Sequence, residues 1–481
     1  MKITSPDFER KASKALHDPM LQKALSNIEK GFIAKRIKAA AALPEFDDLR
    51  DRARDIKNHT LERLDLYLEA FERRVQAAGG EVHWAETPDD ARAIIADICK
   101  RVGARTVTKG KSMISEEIAL NEHLESLGLE PVETDLGEYI VQIRGEYPSH
   151  IIAPAVHLTK EQVADDFRRV HGHLDAKRDL TEPTTLLGEA RTVLREKFIA
   201  ADVGITGANF LVAETGSVVL VTNEGNGDLT QTLPKATIVL ATPEKVVPTL
   251  EDVDTMLRLL ARSATGQDLS VYTTFATGAK RPGDPDGPAE FHVVLLDNGR
   301  TAMLGTEFQD MLRCIRCGTC INHCPVYHVL GGHAYGWVYP GPMGAVLTPT
   351  LVGIDKAGHL PNASSFCGRC EDVCPMRIPL PRMMRAWRNR EFERALNPAV
   401  TRFGLRAWAF LAARPQIYHK INRIASLVLS GLAAGRGRIR KLPFAGSWTS
   451  VRDMPAPEGG TFQELWKERR AASTTESSKA H

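Results

Sequence analysis

The chain has 481 residues, 43% hydrophobic and 25% charged, the make-up of an ordinary globular protein with room for two or three domains. Its net charge of +2 favours no particular class of partner. The first residues, Met1-Lys-Ile-Thr-Ser-Pro, lack the apolar core of a secretory signal, and no run reaches the ~20 uninterrupted apolar residues of a membrane span. The best candidate for a span, Trp408 to Leu432, is broken by Arg414, Pro415, Lys420 and Arg423, so the expected location is cytoplasmic.

Residues 1–75 read as a helical arm, through runs such as Asp47 to Arg52 and Leu61 to Leu68. Gly79-Gly80 ends it. Extended and helical signals then alternate: Glu81 to Ala85 extended, Pro88 to Val102 helical, Arg105 to Thr108 extended, Met113 to Leu127 helical. Short apolar runs follow at Tyr139–Ile143 and His150–Ala155, then at Ser217–Val221, Thr237–Leu240 and Phe291–Leu296. This alternation predicts an α/β domain with a largely parallel sheet over residues 76–300.

Within that domain Thr108-Lys-Gly-Lys-Ser112 superficially resembles a phosphate-binding loop. Arg105 stands where the loop needs a glycine, so the segment reads as a strand-to-helix turn capped by Ser112 or Ser115. A helix N-terminus there still offers amides to an anion, with Lys109 and Lys111 beside it. Glu214-Thr-Gly216 puts a carboxylate at a strand end, suited to a nucleophile, a base or a turn cap. Gly225-Asn-Gly227 reads as a hairpin-type turn, His150 and His157 as structural histidines, and Cys99 as a buried bystander.

The other seven cysteines fall between positions 314 and 374. Cys314-Ile-Arg-Cys317-Gly-Thr-Cys320-Ile-Asn-His-Cys324-Pro325 has the bacterial ferredoxin spacing, and Cys367-Gly-Arg-Cys370-Glu-Asp-Val-Cys374-Pro375 repeats it without a leading cysteine. Ser364 stands in that place. Structural zinc usually appears as two separated pairs, and disulfides need an oxidising compartment. Iron–sulfur ligation is the favoured reading. In two-cluster ferredoxins the cysteine before proline serves the other cluster. Cys314, Cys317, Cys320 and Cys374 then hold one [4Fe-4S] cluster, and Cys324, Cys367 and Cys370 hold a second, [4Fe-4S] or [3Fe-4S]. Its fourth corner is left to an empty or exogenous position, to Ser364, or to a histidine among His328, His333 and His359. Those histidines and the Gly/Pro-rich run Gly331–Gly344 lie between the motifs and are expected to shield the clusters from water.

Residues 301–395 form this cysteine-bearing region, and residues 396–481 a basic helical tail. Between Arg377 and Lys441 there are 15 Lys/Arg against Glu391 and Glu393 alone. Ile421, Ile424, Val428 and Leu432 make a helical apolar stripe, which fits an anionic membrane surface, a partner, or the protein's own core. Nothing resembles a nucleic-acid recognition module. From Pro455 the chain turns polar, and its Ser/Thr-rich end is expected to be disordered.

Several runs resemble the lactate-utilisation (LUD) domain: Thr108 to Ile118, Glu133 to Ile140, Pro148 to His157, Ala213 to Gly216 and Asp297-Asn-Gly-Arg300. Together with the cysteine motifs and the segment Trp448 to Pro457, nearly the whole chain is similar to the lactate-utilisation iron–sulfur protein B family. The resemblance implies a sugar-isomerase/CoA-transferase-like α/β domain, then an α-helical ferredoxin-type dicluster domain. It implies an electron-transfer subunit of a non-NAD L-lactate dehydrogenase complex, working with a cysteine-rich subunit and a second LUD protein. Electrons would leave toward a quinone or a carrier, and the complex would sit in the cytoplasm or at the inner face of the membrane. It carries over no catalytic residue. Two other readings stay open: a LUD domain acting on a carboxylate or thioester through Glu214, Lys109 and Lys111, and a scaffold that only binds its companions.

Overall fold

The alternating apolar runs become two β-sheets in the computed structural model, which describes residues 2–442, 446–449, 452–457 and 460–479. The chain divides into two compact units, Met1–Glu391 and Phe392–His481. In the first, the strands are β1 (Glu81–Ala85), β2 (Thr106–Lys109), β3 (Glu130–Glu133), β4 (Val203–Thr206) and β5 (Phe210–Val212). They continue as β6 (Ser217–Thr222), β7 (Ala236–Ala241), β8 (Val246–Val247), β9 (Tyr272–Ala276) and β10 (Glu290–Leu296). The main sheet has the order β1-β10-β7-β4-β2-β3 with every pair parallel. Its central strands β4 and β7 are buried along their full length, as parallel strands covered on both faces require. A smaller mixed sheet, β8-β5-β6-β9, stands beside it.

Local chemistry sets the helices around this sheet. Pro88–Val102 opens on a capping box between Thr87 and Asp90 and closes at Gly103 in the left-handed region, burying Ala91, Ile95, Ile98 and Cys99. The run Tyr139–Ile143 lies inside a helix, Leu136–Arg144, and not in a strand. Asp135 accepts from the amides of Gly137 and Glu138, and Gly145 ends the helix, so the caps override the β preference of the apolar run. Met113–Leu127 splits into Met113–Glu117 and Leu120–Ser126 at Ala119, whose φ is +53°. Gly225-Asn-Gly227 starts a helix, Asn226–Thr232, and is not a hairpin. The strands it joins, β6 and β7, belong to different sheets, so the connection must cross over.

Residues 5–77 are mostly helical and pack within the first unit. Helix Phe46–Leu61 packs on helix Leu250–Ala264. Its Arg50 reaches the cysteine region, donating to the carbonyls of Asp372 (2.6 Å) and Cys374 (2.8 Å), while Arg36 donates to that of Val373 (2.8 Å). Behind the cysteines, helix Gly341–Val352 is buried from Gly341 to Pro349, which suits its uniformly apolar sequence.

The second unit contains helices Ala399–Ala412 and Pro415–Ala433, with large apolar side chains such as Phe403, Trp408, Ile424 and Val428 exposed. The polar end, expected to be disordered, forms a helix over Phe462–Lys479, while residues 480 and 481 lie outside the described residues. No helix among the described residues is long and apolar enough to cross a membrane.

Candidate iron–sulfur centres and an adjoining cavity

Both cysteine motifs fold as the same loop. In each, a glycine with positive φ (Gly318, +72°; Gly368, +81°) leads into one helical turn, Thr319–Asn322 or Arg369–Asp372, and the last cysteine meets a proline. Only a residue without Cβ takes that φ at little cost, and the turn then aims its cysteines to one side. Cys314, Cys317, Cys320 and Cys374 line one cavity of about 20 Å³, closed by apolar side chains including Ile151, Met311, Met343 and Ile378. Burial and then Cys314, Cys317 and Cys374 push the Cys320 thiol up, with Cys370 behind them, whereas burial and then Cys324 and Cys367 push up that of Cys370. Burial pushes the thiol of Cys317 up to about 12 and that of Cys374 to about 11, so loading this site with metal must expel protons. A set of sulfurs around one apolar hollow fits an iron–sulfur cluster. A backbone donor reaches one sulfur: the Ile378 amide lies 3.5 Å from Cys374 Sγ.

Around the three-cysteine group the proposed fourth ligands are differently placed. Ser364 Oγ accepts from the Phe366 amide at 3.1 Å. His333 and His359 each engage a backbone carbonyl through Nε2, of Tyr147 (2.7 Å) and Ser5 (2.8 Å), and His328 does so with Asn322. Cys367 is exposed, while Cys317, Cys370 and Cys374 are buried.

A larger cavity, of about 350 Å³, opens between the sheets and the first cysteine loop. Lys111, Asp135, Glu224 and Lys245 line it, with Arg316 and Tyr339 from the cysteine region. Arg316 sits between Cys314 and Cys317 with φ +60°, stacks 5.0 Å over the Tyr339 ring and reaches Glu244 at 3.4 Å. Behind it Arg300 grips Glu117 through both Nη atoms (2.9 and 2.6 Å), and the Tyr339 hydroxyl donates to the same carboxylate at 2.7 Å. Burial would raise the Glu117 carboxyl, and the Arg300 guanidinium outweighs it, holding the group below its ordinary value.

Three family models match the chain: a LUD domain over residues 68–296, a 4Fe-4S dicluster domain over 310–378, and the C-terminal region of lactate utilisation protein B over 376–471. Lactate utilization protein B of Bacillus licheniformis is 43% identical over 98% of both chains. The Bacillus subtilis protein of that name is 41% identical over 99% of both, and that of Lysinibacillus sphaericus 41% identical over 98% of both. The chain belongs to the lactate utilisation protein B family. A solved DUF162 family protein from Deinococcus radiodurans aligns with 48% of this chain and 98% of its own at 16% identity and a TM-score of 0.26.

In this member of the lactate utilisation protein B family, a LUD domain with a parallel α/β core precedes the 4Fe-4S dicluster region and a helical C-terminal part. Lys109, Lys111 and Glu214 are not brought together. Lys109 is buried between Glu116 (2.8 Å) and Glu133 (2.6 Å) and bonds Ser115 Oγ at 2.7 Å. Burial opposes its charge, and the two carboxylates outweigh burial and hold the ammonium above its ordinary value. Lys111 faces the large cavity and donates to the Ile152 carbonyl. Glu214 is exposed elsewhere and accepts from the Leu250 amide at 3.0 Å, capping helix Leu250–Ala264. Ser112 caps the short helix Met113–Glu117. His150 Nδ1 accepts from the Ile152 and Ala153 amides, and His157 pairs with Glu146 at 2.9 Å. Lys245 and Arg316 escaped the sequence reading. Arg316 carried one usable signal, a long cation inside a cysteine motif; Lys245 carried none.

Proposed function

We propose that this chain is the iron–sulfur electron-transfer subunit of an L-lactate oxidation complex. The family and its dicluster domain support a role in lactate utilisation and iron–sulfur electron transfer. The observation that carries the finer reading is the gathering of seven cysteines into two adjoining groups, each drawing on both loops. When bound, the clusters supply one-electron carriers. The chain's own residues keep water from the first group with Met343, Met376 and Ile378 and put the Ile378 amide on Cys374. On this reading the first group holds a [4Fe-4S] cluster and the second a [3Fe-4S] or an open-cornered [4Fe-4S] cluster.

The partners of this reading are a cysteine-rich subunit, a second LUD protein, and a quinone or carrier as acceptor. Chain purified without oxygen is expected to hold iron and acid-labile sulfide, and to show a paramagnetic signal when L-lactate is added with the companions. Absence of iron and sulfide would falsify the reading.

Peripheral docking at the membrane is the second part of the proposal. The exposed Trp408, Phe410, Ile424 and Val428 on helices whose described charges are all basic support it. Full chain should co-sediment with anionic lipid vesicles and not with neutral ones, and a chain ending at residue 395 should bind neither. Equal binding by the two chains sinks this part.

A further inference from the structure

We infer that the cavity between the sheets and the first cysteine loop is a binding site for a small organic carboxylate, held by Lys245 and Arg316. Lys245 is 6% exposed and lines the cavity, yet its ammonium has no hydrogen-bond or ion-pair partner among the described residues. A buried cation without a partner is costly, and a ligand anion at this point removes the cost. Arg316 repeats the pattern. One edge meets Glu244, one face lies on Tyr339, and Nη1 is buried without an acceptor.

The charges around them leave a positive surplus. Lys57, Lys245, Arg300 and Arg316 face two carboxylates, Glu117 and Glu244. The bland account is that these cations only offset thiolate charge at Cys314, which lies close to three of them. Cations serving the cysteine loops alone are built differently. Arg36 and Arg50 end on the carbonyls of Val373, Asp372 and Cys374, and neither lines the cavity. Lys245 and Arg316 line open space.

The remaining lining selects among anions. Ile151, Ile152, Leu260 and Ala264 make apolar walls, suited to a carbon skeleton. Asp135 and Glu224 share the cavity near Lys111, and burial followed by Asp135 pushes the Glu224 carboxyl upward. Two acidic groups oppose a multiply charged phosphate more than a monoanionic carboxylate. Because Arg316 separates Cys314 from Cys317, a carboxylate on its guanidinium lies against the first cysteine loop.

The inference stands apart from the electron-carrier reading. The test is calorimetric titration of the anaerobically purified full chain with L-lactate, pyruvate and inorganic phosphate, with iron content measured on each sample. Saturable binding of at least one carboxylate is expected, with phosphate at least tenfold weaker. Lys245→Met should weaken it at least tenfold at unchanged iron content, and Lys245→Arg should restore it. Lys245→Gln, polar and of similar length, serves if the methionine variant does not fold. Binding of neither carboxylate, preference for phosphate, or a methionine or glutamine variant that binds like the parent overturns the inference. Iron-loaded chain that binds no carboxylate defeats this inference alone; iron-free chain that binds one defeats the carrier reading alone.

Discussion

Ser364 occupies in the second cysteine loop the place that Cys314 occupies in the first. Each follows a short 3-10 turn, with φ/ψ of −65°/119° at Cys314 and −71°/133° at Ser364. Two residues on, Arg316 and Phe366 both take positive φ, +60° and +55°. The backbone therefore presents a fourth ligand position at the open group, and only the side chain differs. Ser364→Cys is expected to complete eight thiolates: a three-iron cluster there gains one iron and loses its oxidised signal, and an open-cornered four-iron cluster keeps its iron and changes its spectrum. Unchanged iron and an unchanged spectrum would show that the position does not face the metal.

Arg50 fastens the N-terminal helices to the second loop through the carbonyls of Asp372 and Cys374. Arg50→Met takes the guanidinium donor from the Asp372 carbonyl and leaves the Cys374 carbonyl with the Arg377 amide (3.2 Å), and should cost about 2 kcal/mol. A lower melting temperature and faster iron release to a chelator are the expected readouts. A variant that melts and releases iron like the parent refutes the clasp.

Glu117 and Arg300 form an ion pair with side chains 0% and 1% exposed. Glu117→Gln leaves the buried guanidinium to Glu244, 3.7 Å away, and the Asp297 carbonyl, and should destabilise the first unit by about 3 kcal/mol. Breaking the surface pair Arg10–Asp7, 62% and 49% exposed, with Asp7→Asn should fall within about 1 kcal/mol. Thermal melts of the two variants side by side check the contrast.

Carboxylate affinity should depend on pH through Lys245. Burial lowers its ammonium to about 8, Arg316 and Arg300 add to the effect, and Glu244 and Cys314 oppose it; Lys57 also faces it. The charged form prevails below that value, so affinity stays level there and falls roughly tenfold per pH unit above it. Lys245→Arg should keep its affinity past pH 9, because a guanidinium stays protonated. Titrations from pH 6.5 to 9.5 separate the two behaviours.

The parallel sheet was legible because strands such as Thr237–Leu240 declare themselves over a few residues, and the cysteine loops because their spacing is local. What escaped depends on caps or distance. The Tyr139–Ile143 run reads as a strand until Asp135 and Gly145 are weighed as helix ends. Lys109 looked like an anion ligand because Glu116 and Glu133, which pair with it, lie on other elements. Lys245 and Arg316 share a cavity while standing 71 positions apart, and no window of sequence joins them.

The clasp from Arg50 to Cys374 joins positions 324 residues apart, and that from Arg36 to Val373 spans 337. A ribosome releases the arm first and the second loop hundreds of residues later. The arm must wait, and neither cysteine group is complete until position 370 or 374 has emerged. Metal loading is thus a step taken after synthesis of the first unit, and a nascent chain stalled before Cys370 offers iron no finished site.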